Sequence, residues 1–289
     1  MIVWQNKKKN ESIDALCRLT PKRRFELLSL DYVCRQHDGT ESVAELEAGI
    51  IPNRSFRSFF LYYDGKRLAG ELYLFLTEEN GAEITAIVDP YRRRNGIFTA
   101  LLKAASAELK KYGITEYCFV AEPACRDASD AAAKMGLSCI RSETVMELSG
   151  ADEKTTAKET DATEAYREAS GDDGESAGTD NISNGDENIT CTATGDGFEI
   201  RMADTDGSFI GSAACCMMNG TAFIHNVGVE ASLRSKGYGR KIMTAMIAKI
   251  RQTAPNAVIR LQVTSDNTSA LGLYESLGFK TVSRLDYLQ

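Results

Sequence analysis

The succession of apolar and polar positions divides the chain into short strands and amphipathic helices. Over 222–229 apolar and β-branched residues predict a strand, and the pattern breaks at Glu230 into a polar bend. Beyond the bend Ile242, Met243, Met246, Ile247 and Ile250 recur on one face at helical spacing, which predicts a helix over 239–250. Strands at 198–202 and 209–218, joined across Asp206 and Gly207, precede this unit. A strand at 258–263, a helix at 268–277 and a strand at 280–288 follow it.

The N-terminal half reads in the same order. Strands are expected at 57–63, 68–76 and 84–88, a helix at 99–111, and strands at 116–121 and 142–148. Two helices, 10–19 and 21–35, are expected ahead of them, the second opened by Thr20 as cap and Pro21 as first residue. Phe25, Leu28 and Tyr32 run along one side of that second helix, which either borders a groove or covers a sheet. Val88, Arg93, Gly96 and Phe98 return 141 residues later as Val229, Arg234, Gly237 and Gly239, and Gly70 returns as Gly211. Gly65 and Gly136 return as Gly207 and Gly278 at an offset of 142. Unrelated turns would not keep their separations, so the chain carries two copies of one unit.

With 289 residues, 43% apolar and 26% charged, the composition is that of a soluble globular protein long enough for two domains. No apolar run reaches the roughly 18 residues that cross a bilayer, and the opening residues are not arranged like a signal peptide. A cytoplasmic protein without a membrane partner is expected. The formal charge of −7 is concentrated: residues 151–187 hold 12 acidic and 3 basic side chains, which leaves about +2 for the rest and argues against nucleic acid as a partner. The same stretch is rich in Gly, Ser and Thr and cannot bury much apolar surface. The expected division is therefore a domain over 1–149, an acidic flexible linker over 150–195 and a domain over 196–289. Eight cysteines form no CxxC pair and the two histidines lie far apart in sequence, so no metal is expected and the thiols read as small apolar residues.

Chemistry concentrates after the 222–229 strand. Gly237 and Gly239 let the backbone turn tightly and present N–H groups at a helix start, where unpaired donors converge. Arg234, Lys236, Arg240 and Lys241 add positive charge around them. The spacing is neither a GxxxxGK(S/T) loop nor a complete GxGxxG fingerprint. A diphosphate is the anion that suits it best; the plainer alternative is a helix start with solvated basic residues.

Two stretches carry a family resemblance. Val229 with Arg234-Ser235-Lys236-Gly237-Tyr238-Gly239 resembles the acyl-CoA pyrophosphate motif Q/R-x-x-G-x-G/A of the GNAT superfamily of N-acetyltransferases. Asn267, Ala270, Tyr274, Gly278 and Phe279 stand as in that domain's N-x-x-A-x-x-x-Y-x-x-x-G-F ending. The resemblance implies an α/β fold of two tandem GNAT-like domains, each a mixed, mostly antiparallel sheet flanked by helices. It also implies transfer of acetyl from acetyl-CoA to a primary amine by direct attack. Asn226, Val227, Gly228 and Val229 would then pair with the pantetheine amides. Residues Arg234, Ser235, Lys236, Gly237, Tyr238, Gly239 and Arg240 would hold the diphosphate. Asn267 would cap its helix and touch the cosubstrate.

Tyr274 corresponds to the family's acid, and with an ordinary pKa of about 10 its hydroxyl keeps a proton to give to a departing thiolate. His225, expected to face the same way as Val227 and Val229, is the candidate base, with a structural histidine, a water relay or Glu230 as the alternatives. A small-molecule amine is favoured over a protein amine as acceptor. Phe98 and Ala132 stand in the first copy where Gly239 and Tyr274 stand in the second, so the first copy is expected to be degenerate. The rival reading is a CoA- or acyl-CoA-binding sensor without turnover.

Overall fold

The computed structural model describes residues 3–5, 10–41, 55–77, 81–149, 180–184, 187–195, 197–218 and 220–289. By contacts the chain divides into two units, Met1–Ser142 with Ser283–Gln289, and Glu143–Val282.

The first unit is built from β1 (Val3–Gln5), β2 (Glu11–Leu16), α1 (Pro21–Asp38), β3 (Phe59–Asp64), β4 (Arg67–Leu76), β5 (Gly81–Val88), α2 (Ile97–Lys111), β6 (Glu116–Ala121) and α3 (Arg126–Met135). Its strands lie in the order β1-β2-β3-β4-β5-β6 and pair antiparallel except for β5 with β6. The strand that closes this order is the end of β14 (Lys280–Leu288), whose residues 286–288 pair antiparallel with β6. Apolar residues of β3, β4 and β5 divide between two cores. One includes Leu72, Leu74 and Ile84 with Leu101 and Leu109 of α2; the other includes Leu61 and Tyr73 with Leu27, Leu30 and Cys34 of α1.

The second unit repeats the plan. β7 (Cys139–Leu148), whose residues from Glu143 onward belong here, pairs antiparallel with β13 (Val258–Thr264). Then come β12 (Thr221–Val229), β11 (Phe209–Met218), β10 (Gly197–Asp204), β9 (Glu187–Ala193) and β8 (Asp180–Asn184), with β12 and β13 the one parallel pair. Helix α4 (Tyr238–Thr253) buries Ile242, Met243, Met246 and Ile250 against the sheet, beside α5 (Thr268–Ser276). Four of the five helix positions expected to share a face are thus fully buried, as the helical period requires.

The repeat has a physical cause at the paired glycines. A Cβ on Gly70 would come within 2.8 Å of Ile97 Cγ2, and one on Gly211 within 2.8 Å of Ile242 Cδ1. Each helix start therefore packs closely over a strand glycine, where a side chain would have to push the helix residue aside, and at Gly211 it would also meet Gly228 O at 2.4 Å. Both units exchange their closing strand: the segment after α3 completes the second unit's sheet and the segment after α5 completes the first unit's.

Several expectations are corrected. Residues 10–19 are not helical: Ile13 and Ala15 alternate into the core and β2 pairs with β3, so period 2 prevails over the helical reading. The Phe25, Leu28 and Tyr32 side of α1 faces out, while Leu27, Leu30 and Cys34 face the sheet. Thr20 does cap this helix, accepting from Arg23 N. Helix α3 was not expected; its short alanine-rich sequence is polar on average and buries Ala132 alone. Residues 187–193 leave the expected linker and form β9, with Cys191 buried against the core. Residues 150–179 of that linker lie outside the described residues.

Candidate active site

β12 and β13 run in parallel register from Thr221↔Val258 to Ile224↔Leu261, and there their ladder stops, although both strands continue. The cause is local to β12. Ser212 pairs with Gly228 and Ala214 with His225, so Ala213 alone faces both Asn226 and Val227, and Asn226 takes a left-handed φ of 53°. Such a β-bulge bends the strand that carries it. β12 swings away from β13 and leaves its backbone groups beyond Ile224 outside that ladder.

The gap is a cleft of about 280 Å³. Ile224, Val227, Leu261, Val263, Ala270 and Tyr274 line it on the side packed by α4 and α5. Glu143, His225, Gln262 and Thr264 line it as well, and alternation along the strands places them on the opposite face of the sheet. The bulge also corrects the expected direction of His225. Val227 and Val229 pack with Ala222 and Ile224 on the helix side, whereas His225 is exposed, because one extra residue shifts the period-2 pattern.

Tyr274 is 6% exposed, its ring 6.0 Å from that of Phe279. Burial pushes its pKa above the ordinary tyrosine value, so the hydroxyl holds its proton across the neutral range. Asn267 Oδ1 accepts from Ala270 N at 3.1 Å and caps α5, which fixes the helix that carries Tyr274.

Past Val229 the chain makes a one-turn 3-10 helix at Ala231–Leu233 and enters the glycine loop. Gly237 is the N-cap of α4 at φ 87°, with no side chain capping the first turn. Its carbonyl accepts from Arg240 N and Lys241 N, leaving the earlier N–H groups of the turn directed outward. Arg234 Nε donates to Val229 O at 3.1 Å and pins the loop to the end of β12, and Ser235 adds a left-handed φ of 62°. Lys236 is exposed and Tyr238 packs partly against the core. A Cβ on Gly239 would lie 3.2 Å from Leu273 Cδ2, so this position keeps α4 close to α5. Arg240 and Lys241 are engaged within the unit, Arg240 Nη2 donating to Ser276 Oγ at 2.6 Å and Lys241 Nζ to Glu187 Oε1 at 2.7 Å.

His225, Asn226, Val227, Asn267 and Tyr274 are therefore brought to one cleft, while Gly228 and Val229 lead from it into the loop of Arg234 to Arg240. Sequence reasoning missed Glu143, Gln262 and Thr264. Alternation along 258–263 could have pointed to Gln262, but nothing local marks Glu143, which arrives on a strand from the other half of the chain.

The first unit's loop has the same backbone and a different electrostatic state. Gly96 is the N-cap of α2 at φ 78°, and Arg93 Nε donates to Val88 O at 3.0 Å. Arg93 Nη1 also reaches Asp38 Oδ1 at 2.7 Å and Asp127 Oδ2 at 3.0 Å. The hydrogen bond to Asp38 is the main reason its pKa is raised above the ordinary arginine value. Burial alone would raise Asp38, but the hydrogen bonds from Arg93 and His37 outweigh it and hold the carboxylate below its usual range. Phe98 fills the position of Gly239 against Phe119, Cys125 opens α3 without a side-chain cap, and β5 pairs with β4 without a bulge.

Arg93→Ala would leave Asp38 nearly buried without its main partner, at a cost of about 3 kcal/mol or more. Denaturant unfolding at pH 7 should show that loss. Because Asp38 is depressed in the folded state, the pair's contribution is full above its unfolded pKa of about 3.9 and is lost as pH falls through the lower folded value. The gap between wild type and variant should accordingly narrow well below pH 4, leaving the loss of the Arg93 contact to Val88 O.

Comparisons with known proteins agree with this geometry. The sequence profile described as "Acetyltransferase (GNAT) family" matches residues 23–137 and again 161–279. An N-alpha-acetyltransferase RimI of Mycobacterium tuberculosis is 30% identical over 84 residues, 28% of this chain and 51% of that protein. The chain spans about half the length of the curated relatives it matches. Among solved structures, a GCN5-related N-acetyltransferase from Sphaerobacter thermophilus superposes with a TM-score of 0.66 at 14% identity, covering 96% of this chain and 95% of that one. A tandem GNAT protein from the clavulanic acid biosynthesis pathway gives 0.64 at 15% identity, covering 96% and 97%. These two likenesses concern the fold.

Proposed function

Since the chain belongs to the acetyltransferase (GNAT) family, we propose that its second unit transfers an acetyl group from acetyl-CoA directly to a primary amine, with Tyr274 as the general acid. The observation that carries this reading is the cleft that opens where β12 and β13 part. It has an uncapped, glycine-started helix beyond one end of β12 and a buried, protonated tyrosine in its wall.

The residues suit the cosubstrate. Arg234, Lys236 and the N–H groups around Gly237 offer an anion site for the diphosphate. The unladdered backbone of Asn226 to Val229 offers strand-like hydrogen bonds to the pantetheine amides. Attack needs a neutral nitrogen, because the lone pair forms the new C–N bond. As the C–S bond breaks, the Tyr274 hydroxyl gives the sulfur its proton. Backbone N–H groups of the bulged strand suit the negative charge that develops on the thioester oxygen.

The first unit reads as a copy without this chemistry. Its arginine is taken up by two carboxylates, an aromatic ring fills the glycine position, and alanine replaces the acid. Glycine-to-alanine changes test both halves of the proposal, because a β-carbon in the left-handed region costs about 1–2 kcal/mol and displaces the loop N–H groups. Gly237→Ala is expected to weaken acetyl-CoA binding about tenfold by calorimetry, and Gly96→Ala to leave it unchanged. Equal weakening by both would mean that two units bind the cosubstrate. Binding without release of CoA thiol across an amine panel would favour the sensor reading.

A further inference from the structure

Helix α1 carries two apolar stripes, and the sheet uses one of them. Leu27, Leu30 and Cys34 are buried on the sheet, while Phe25, Leu28 and Tyr32 on the opposite side stay 73%, 41% and 59% exposed. Single exposed apolar side chains are ordinary on a protein surface, and a contiguous patch is not. Tyr117, Met135, Ile140 and Phe209 are of the ordinary kind, one each on β6, α3, β7 and β11. On α1 the exposed Val33 joins the stripe at its shoulder. Past the last turn the exposed Tyr91 stands edge-on to His37, their ring centres 6.3 Å apart.

The spacing fits a second helix. Pro21, Phe25, Leu28 and Tyr32 recur at intervals of four, three and four residues, the seam along which one helix packs on another. The seam is uncharged and it is its own complement. Two copies laid antiparallel about a two-fold axis beside Leu28 set each Phe25 against the partner's Tyr32, and Leu28 against the partner's Leu28. Charge agrees with that direction. The first turn of α1 holds no acidic residue, and Lys22, its nearest carboxylate Glu26 at 3.8 Å, lies at the positive end of its own helix dipole. Antiparallel pairing carries Lys22 over the negative end of the partner's helix. The cations already there are engaged, Arg35 with Asp31 at 2.8 Å and His37 with Asp38 at 2.9 Å.

We propose that α1 is the surface through which two copies of this chain associate, antiparallel and two-fold, along the seam of Phe25, Leu28 and Tyr32. At roughly 200 Å² for a whole aromatic side chain, Phe25, Tyr32 and Tyr91 expose about 400 Å², and Leu28 and Val33 bring the patch to about 500 Å². Two such patches remove about 1,000 Å² before any polar rim is counted, which is where specific interfaces begin. The inference does not depend on acetyl transfer.

Sedimentation equilibrium of the full-length chain from about 1 to 100 μM should show a species of twice 31.6 kDa. Phe25→Glu and Tyr32→Lys should each raise the dimer Kd by about thirtyfold or more with an unchanged circular dichroism spectrum, since both side chains face solvent in the single chain. Both substitutions in one chain should restore association in part, because position 25 of each copy then meets the opposite charge at position 32 of the other. Within one helix the two positions lie two turns apart and do not meet. That recovery distinguishes the pairing from a folding defect and from unspecific adhesion. A wild type that stays monomeric at the highest concentration overturns the proposal, even if its stripe then adheres to anionic vesicles. A dimer whose Kd neither single variant changes overturns it too, as does a double variant that associates no better than the single ones.

Discussion

Tyr274→Phe is expected to lower kcat for acetyl transfer by about a hundredfold or more while acetyl-CoA still binds as in the wild type. The substitution removes one oxygen and keeps the ring that packs near Phe279 in the second unit's core. A thiolate leaving without a proton is the poorer leaving group, so the loss falls on the chemical step and not on the affinity for substrates. Stopped-flow release of CoA thiol, run beside calorimetric titration of acetyl-CoA, separates the two. Burial raises the Tyr274 pKa, so the acid form persists as pH rises, and the wild-type rate should show no fall from tyrosine ionisation below about pH 10. A variant that retains wild-type kcat would transfer the role of acid to solvent. One that loses cosubstrate binding would make Tyr274 a packing residue.

The second large effect concerns where the chain can be cut. A fragment of residues 196–289 contains every motif of the second copy, yet it is expected to be unfolded and inactive. It lacks β7, whose Met146 is fully buried in the second unit's core and whose residues 143–148 pair along β13. It also lacks β9, which pairs along the whole of β10. Losing Met146 alone removes roughly 2 kcal/mol of burial, and a whole strand on each side of the remaining sheet removes an amount comparable with the 5–15 kcal/mol by which a domain is stable. Circular dichroism and proton NMR of the fragment should show an unfolded chain. In the full-length protein Met146→Ala should cost about 2–5 kcal/mol and speed amide exchange in 221–263 while leaving 59–109 unchanged. A fragment that folds and binds acetyl-CoA would show that β7 contributes only an edge.

The repeat, most strand positions, the helix after each glycine loop and the residues of that loop were legible in the sequence. Glycine spacing and apolar period are local quantities, and the chain must satisfy them wherever it folds. Thr20 and Asn267 were readable as caps for the same reason, since a cap acts over three residues. The side of α1 that faces the sheet was not legible, because Phe25, Leu28 and Tyr32 form as regular an apolar stripe as Leu27, Leu30 and Cys34. Only the position of the sheet chose between them. The direction of His225 was not legible either, since one bulged residue at Asn226 reverses every alternation beyond it and leaves no mark in composition. The exchange of closing strands, and with it the arrival of Glu143 at the cleft, depends on pairing between segments more than a hundred residues apart. Sequence period determines that a strand exists, and long-range pairing, decided by burial and twist, determines which sheet it joins.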